Sequence, residues 1–292
     1  MKDPEEKEMM AYIAGLIDGD GHIGIRIGPR GKLSPLIQFH NSLKQVSVYL
    51  NNLFGGTVAC DKPKKEKNRL IWKWMLQGEK GCKTFLEKVS QFLILKQDSA
   101  IELFEFLTTP IMGKDYYQSC KGLNLKRKIE PYSLDKIHRI NSDCPYFWAY
   151  VAGVMDTDGS FSIERSVRKS GQNRQKNDLV KFRPKIILTM VSERSIQHIL
   201  SNCEYGGLSI VKANTALRGS AFRFSIQSRS DAIEFLKRCI PFLQIKAIQA
   251  IKILNFCRNY KPTNGLARIP EEEKEYREKC YKEIVMLNNT PS

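Results

Sequence analysis

"GLIDGDG", residues 15–21, ends an apolar run on two carboxylates, Asp18 and Asp20, set one residue apart between glycines. The chain carries the pattern twice: "GVMDTDG", 153–159, places Asp156 and Asp158 in the same context. Working outward, "AYIAGLIDGDGHIGI" (11–25) aligns without a gap with "AYVAGVMDTDGSFSI" (149–163), at an offset of 138 residues. Further along, Pro35 meets Pro184 at an offset of 149, and Lys96 meets Lys246 at an offset of 150. The change of offset places an insertion in the second half. "RKSGQNRQKND" (168–178), polar and basic, reads as that insertion, a long hairpin tip. Similarity to itself at a domain-sized spacing marks a diverged duplication.

Each half predicts the same order of elements. A helix opens it, with Asp3 and Pro4 as start signals in one copy and Ser142, Asp143 and Pro145 in the other. Alternation follows, with Ile23, Ile25 and Ile27 on one face and His22, Gly24 and Arg26 on the other, which predicts a strand. A second strand surrounds "SPLIQFH". Next comes a helix near 42–54 and 192–203, then strands near 56–61 with 69–77 and 207–212 with 220–227. Helices flank Lys96 and Lys246 and close each unit. The fold class is α+β: two pseudo-symmetric αββαββα half-domains, 1–109 and 143–292, joined by a linker at 110–142. Residues from Pro270 onward predict an outer helix. Ala14-Gly15 and Ala152-Gly153 let two helix backbones come close, so the opening helices are expected to pack on each other across the halves.

With 292 residues and 42% hydrophobic composition the chain supports packed cores. Lys and Arg number 47 against 31 Asp and Glu, a net charge of +16, which points to a polyanionic partner. No apolar run reaches transmembrane length, and the acidic start "MKDPEEKEMM" suits neither a secretory signal nor a transit peptide. The eight cysteines show no zinc spacing and read as reduced packing thiols of an intracellular protein. Richness in Lys, Ile and Asn suits an A/T-rich coding genome such as a mitochondrial or chloroplast one.

Asp20 and Asp158 fall where glycines end each opening helix. An acid there opposes the helix dipole, and free carbonyls lie beside it. Two such ends brought together by pseudo-symmetry are unfavourable without a cation, and hard oxygens suit Mg²⁺ or Ca²⁺. An EF-hand is excluded, because its sixth loop position needs Gly where Ile23 and Phe161 stand. Asp18 and Asp156 point elsewhere on the helix and read as structural groups or as groups that support the ligating acids, Asp18 shaping the turn. Lys96 and Lys246 leave apolar runs, either snorkelling or placed to stabilise charge developing near a phosphate. The polar strand faces offer groups that read bases and phosphates: Arg26, Lys32, Gln38, His40, Lys73, Gln77, Arg168, Lys181, Arg183, Lys185, Arg223, Ser225 and Gln227.

"IAGLIDGDG" (13–21) and "VAGVMDTDG" (151–159) resemble the two signature motifs of the LAGLIDADG homing endonucleases, in their single-chain, two-repeat class. The resemblance covers nearly the whole chain. It implies two saddle-shaped antiparallel sheets over a long double-stranded DNA site, in a monomer. It implies metal ligation by Asp20 and Asp158 with the carbonyls of Gly19 and Thr157. It also implies basic residues at Lys96 and Lys246, and a polar group that organises the attacking water. For that group the first half offers Gln38, His40 or Asn41, and the second Thr189 or Ser192. The implied chemistry is Mg²⁺-dependent hydrolysis of one phosphodiester on each strand, with Ca²⁺ or Mn²⁺ as substitutes. An intron-encoded site-specific endonuclease is the expectation. Its rivals are a maturase that binds intron RNA and a non-catalytic DNA-binding regulator of the same fold, neither of which needs both acids.

Overall fold

The computed structural model describes residues 3–29, 32–61, 70–108, 144–168, 179–211, 221–260 and 270–289. Helix α1 (Pro4–Asp20) begins where its sequence says it should. Asp3 accepts the Glu5 N–H at 3.2 Å, Pro4 needs no donor in the first turn, and Glu5 and Glu6 face the positive end of the dipole. Strands β1 (Gly21–Ile27) and β2 (Leu33–Asn41), helix α2 (Lys44–Phe54), and strands β3 (Thr57–Asp61) and β4 (Ile71–Gln77) follow. Helix α3 (Glu79–Val89), a 3₁₀ turn (Ser90–Phe92) and helix α4 (Gln97–Thr108) close the first half.

The second half repeats the plan. It runs α5 (Phe147–Thr157), β5 (Gly159–Arg168), β6 (Leu179–Met190), α6 (Glu193–Asn202), β7 (Gly207–Val211), β8 (Ala221–Ile226), α7 (Arg229–Cys239), a 3₁₀ turn (Ile240–Phe242) and α8 (Ala247–Asn259). Helix α9 (Glu271–Asn289) lies outermost, packed on β5 and α8. Its Arg277 is buried on Glu273 at 2.7 Å, with its guanidinium 4.2 Å from the Tyr260 ring centre. The start signals at 142 and 143, the linker at 110–142 and the hairpin tip beyond Arg168 lie outside the described residues.

Each half holds one antiparallel four-stranded sheet, in the orders β1-β2-β4-β3 and β5-β6-β8-β7. The period-2 pattern decides which face is which. Pro35, Ile37, Phe39, Trp74 and Leu76 turn inward in one sheet, and Phe161, Ile163, Phe182, Ile186, Leu188, Phe224 and Ile226 in the other. Helices cover those faces. Trp74, for example, packs against the rings of Phe54 and Phe85 while its indole N–H donates to the Gly55 carbonyl at 2.9 Å.

α1 and α5 differ from the one-striped helices around them. Met10 to Asp18 and Ala149 to Asp156 are buried on every side, because each helix packs on its own half and on the other helix. They cross at the two glycines. A Cβ on Gly15 would lie 2.2 Å from the Tyr150 carbonyl oxygen, and one on Gly153 would lie 2.1 Å from that of Tyr12. Backbone touches backbone there, as the Ala-Gly pairs predict. Among the described residues no helix is long and apolar enough to cross a membrane, and the described cysteines are free thiols.

Candidate active site

The crossing brings the ends of α1 and α5 together. Asp18 and Asp156, expected to be structural or to support the ligating acids, are structural, and they act across the two halves. The Asp18 carboxylate is buried and accepts the backbone N–H groups of Ile94, Leu95 and Lys96 at 2.8, 3.0 and 2.9 Å. It also accepts the Tyr150 hydroxyl of the other half at 2.9 Å. Asp156 mirrors it, accepting Gln244, Ile245 and Lys246 N–H at 2.8, 3.0 and 2.8 Å and the Tyr12 hydroxyl at 2.9 Å. Each carboxylate thus satisfies the donors exposed ahead of α4 or α8 and ties one half to the other. Burial, with the adjacent carboxylate charge, pushes both tyrosine pKa values far up, so both hydroxyls stay protonated donors.

That anchorage aims the lysines. Lys96 Nζ donates to the carbonyls of Ile17, Asp18 and Gly19 at 2.6, 2.7 and 3.4 Å. Lys246 Nζ donates to those of Met155, Thr157 and Gly159 at 3.0, 2.8 and 2.6 Å. Each ammonium therefore caps the end of a motif helix, where carbonyls have lone pairs to spare and the dipole is negative. Burial lowers both lysine pKa values, and the charges of Asp20 and Asp158 oppose that shift at each lysine.

Asp20 closes α1 and Asp158 follows α5. Burial raises both carboxyl pKa values, and the charge of Asp20 raises that of Asp158 further. Asn41 Nδ2 donates to Asp20 Oδ2 at 3.2 Å. No group of three or more His, Cys, Asp and Glu gathers among the described residues. A pair of crowded, desolvated carboxylates without a protein cage suits Mg²⁺, which binds through one or two carboxylates and keeps its other positions for water and phosphate oxygens. The carbonyls of Gly19 and Thr157 already accept from lysine, and each retains a second lone pair for a cation. Thr157 stands where its partner motif has Gly19, and it fits for that reason: a Cβ on Gly19 would meet Thr157 Oγ1.

The remaining predicted site residues divide between the two sheets. Directly paired residues share a face, and the register puts His22 opposite Gln38, Arg26 opposite Ser34, Gln38 opposite Met75, His40 opposite Lys73 and Leu36 opposite Gln77. Arg26, Gln38, His40, Lys73 and Gln77 thus lie on one outward face, with Lys32 just before β2 and Lys73 3.7 Å from Asp61. In the other half Lys181, Arg183 and Lys185 pair with Ser166, Glu164 and Ser162, and Ser225 and Arg223 pair with Ile187 and Thr189. Gln227 follows β8 and Arg168 closes β5. Gln38 makes no hydrogen bond to either aspartate among the described residues; it belongs to the sheet surface. Thr189 takes the Arg223 Nε at 3.5 Å, and Ser192 stands at the start of α6.

Sequence reading missed His22, whose exposed ring leans over Gly24, and Glu164, which pairs with Lys185 at 3.2 Å inside the basic face. Both stand at the alternation positions already flagged by Arg26 and Lys181, so period 2 was the available signal. Tyr12 and Tyr150 carried a signal too, since they match across the repeat.

No family model matches the chain. A curated relative, the intron-encoded DNA endonuclease aI3 of Saccharomyces cerevisiae, is 29% identical over 170 residues, 56% of this chain and 37% of that protein, so the chain spans well under half of its length. The crystal structure of the I-LtrWI LAGLIDADG homing endonuclease bound to target DNA matches with a TM-score of 0.67 at 15% identity, covering 95% of this chain and 98% of the other. Meganuclease I-SmaMI bound to uncleaveable DNA matches at 0.62 and 16%, covering 94% and 97%. I-SmaMI with uncleaved DNA and calcium ions matches at 0.55 and 14%, covering 95% and 97%. These likenesses establish the fold.

Proposed function

We propose that this chain, which has the fold of the LAGLIDADG homing endonucleases in its two-repeat, single-chain form, is a site-specific, intron-encoded DNA endonuclease that makes a double-strand break. One observation carries the reading: α1 and α5 cross at Gly15 and Gly153 and deliver Asp20 and Asp158 to one place, where the charges of Lys96 and Lys246 act on both carboxylates. The outward basic sheet faces flank that place and supply the DNA contacts. The calcium-bearing DNA complex of I-SmaMI supports divalent-cation use.

The residues divide the work. Asp20 and Asp158, with the carbonyls of Gly19 and Thr157, would hold Mg²⁺, which supplies an activated water and stabilises the leaving oxygen. Asn41 fixes the Asp20 carboxylate. Lys96 and Lys246 keep the carbonyls oriented and carry positive charge next to the scissile phosphates. Arg26, Lys73, Arg183, Lys185 and Arg223 hold phosphates and base edges. Both acids and both lysines are in place, which an RNA-binding maturase or a silent regulator of this fold would not need.

The test is Mg²⁺-dependent cleavage of a randomised duplex library by the purified chain, with sequencing of the cut ends. Recurrent cuts within one long consensus are expected. Asp20→Asn should keep binding that consensus and lose double-strand cleavage; full cleavage by this variant sinks the metal assignment.

A further inference from the structure

The two halves match in plan but not at their carboxylates. Asn41 ends β2, and its orientation is fixed: Oδ1 accepts the Leu43 N–H at 3.0 Å, which turns Nδ2 toward Asp20 Oδ2 at 3.2 Å. Sheet register gives the counterpart. Gly21 pairs with Phe39 and Gly159 with Leu188, and two residues further stand Asn41 in one half and Met190 in the other. The next strand agrees, pairing Asn41 with Trp72 and Met190 with Phe222. Met190 is buried, 6% exposed, and its thioether has no N–H to give.

Among the described residues nothing replaces the missing amide. Thr189 is turned to Arg223, and Val191 is 73% exposed. Among the described residues no hydrogen bond reaches the Asp158 carboxylate, although burial presses on it as it does on Asp20. A cleft of about 640 Å³ reaches Asp20, walled by His40 and Asn41 from one half and by Thr157, Gly159, Lys246 and Asn288 from the other. It is polar and roomy enough for ordered water beside that carboxylate.

We propose that the two halves of the centre are unequal, and that Asn41 is a positioning residue that makes the strand attacked beside Asp20 the first to be cut, so that cleavage passes through a nicked duplex. This rests on the endonuclease reading above. A carboxylate held by a fixed donor needs no reordering when it engages a cation or a water, whereas the Asp158 carboxylate must be ordered during each turnover. Donors behind a ligating carboxylate are worth about 10–100-fold in metal affinity or activity.

The experiment follows each strand of the cleaved consensus duplex separately, by end-labels of two colours. For the unmodified chain, nicked duplex should accumulate with the nick on one strand, cut about tenfold faster or more than the other. Asn41→Met should slow that strand and abolish the bias. The exchange N41M/M190N should move the faster cut to the other strand, which general loosening of the structure cannot do. A readout independent of turnover is Ca²⁺ titrated calorimetrically onto the DNA-bound protein, where N41M should weaken binding about 10–100-fold. Melting curves establish that N41M is folded, so the proposal stands or falls on this variant even if the exchange variant does not fold. Equal cutting of both strands by the unmodified chain, or equal slowing of both by folded N41M, overturns the inference and leaves the endonuclease reading intact. Absence of any cut by the unmodified chain overturns both.

Discussion

Adding one methyl group at residue 15 should unfold much of what holds the halves together. In an ordinary helix interior, Gly→Ala stabilises by about 0.5–1 kcal/mol, so the sign of the effect tests the packing. At Gly15 the new Cβ would lie 2.2 Å from the Tyr150 carbonyl oxygen and 2.8 Å from the Val154 nitrogen. Both are rigid helix backbone, and ordinary contact begins at 3.4 Å, so α1 and α5 would have to part locally by about 1.2 Å. Overpacking of this kind costs about 1–3 kcal/mol. The same parting stretches the Tyr12–Asp156 and Tyr150–Asp18 hydrogen bonds, each now 2.9 Å, out of range. Bonds to a buried carboxylate contribute about 1.5–3 kcal/mol each. Both bonds together with the overpacking, less the ordinary helix gain, mean that Gly15→Ala should lose about 3–8 kcal/mol, a large part of the roughly 5–15 kcal/mol that keeps a domain folded. Urea denaturation followed by tryptophan fluorescence measures it. Gly153→Ala should behave alike, and the double variant should lose less than the two separate losses together, because the first methyl has already parted the helices. A Gly15→Ala protein as stable as the original, or more so, refutes the reasoning.

Asp18→Ala orphans the three N–H groups before α4 and the Tyr150 hydroxyl, at about 1–3 kcal/mol each, whereas Tyr150→Phe removes one donor and should cost about 1.5–3 kcal/mol; equal losses in denaturation would refute the anchoring role. In chelator at neutral pH, Asp158→Asn should melt higher than the unmodified chain, because burial and Asp20 disfavour its charge. The sign follows from linkage: with a raised folded pKa the native state keeps a proton that the unfolded chain releases, so the metal-free protein loses stability as pH climbs through that window, and the variant loses less. Added Ca²⁺ should raise the melting temperature of the unmodified chain and not that of Asp158→Asn. DNA binding should weaken by about 10³-fold or more between roughly 50 and 200 mM salt if several of the sheet cations meet phosphates; a flat affinity would argue against that surface.

The repeat was legible because it is local. Asp20 and Asp158 were recognisable by context in both copies, and so were Lys96 and Lys246 after their apolar runs. Strand faces followed from alternation, which fixes sidedness residue by residue, and the register later placed Arg26, Gln38, His40 and Lys73 together as expected. The choice between Gln38, His40 and Asn41 stayed open, because three neighbouring polar residues differ only in where the end of β2 points them. Asp18 was legible as a structural group, but its partners were not, for a related reason: they lie 76 and 132 residues away, and no local spacing announces them.

The sequence alone determined that this chain is two copies of one αββαββα unit, that each ends its first helix on an acid, and that its surface is basic. Periodicity, glycine placement and charge act within a few residues and leave their mark there. Only the tertiary structure decided that Asp18 and Asp156 hold the halves together and that the lysines cap the motif helices. It also decided that Asp20 has Asn41 behind it, while the matching register position in the other half is Met190. Those relations depend on which backbones touch at Gly15 and Gly153, and a close approach between distant segments is a property of packing, not of any stretch of residues.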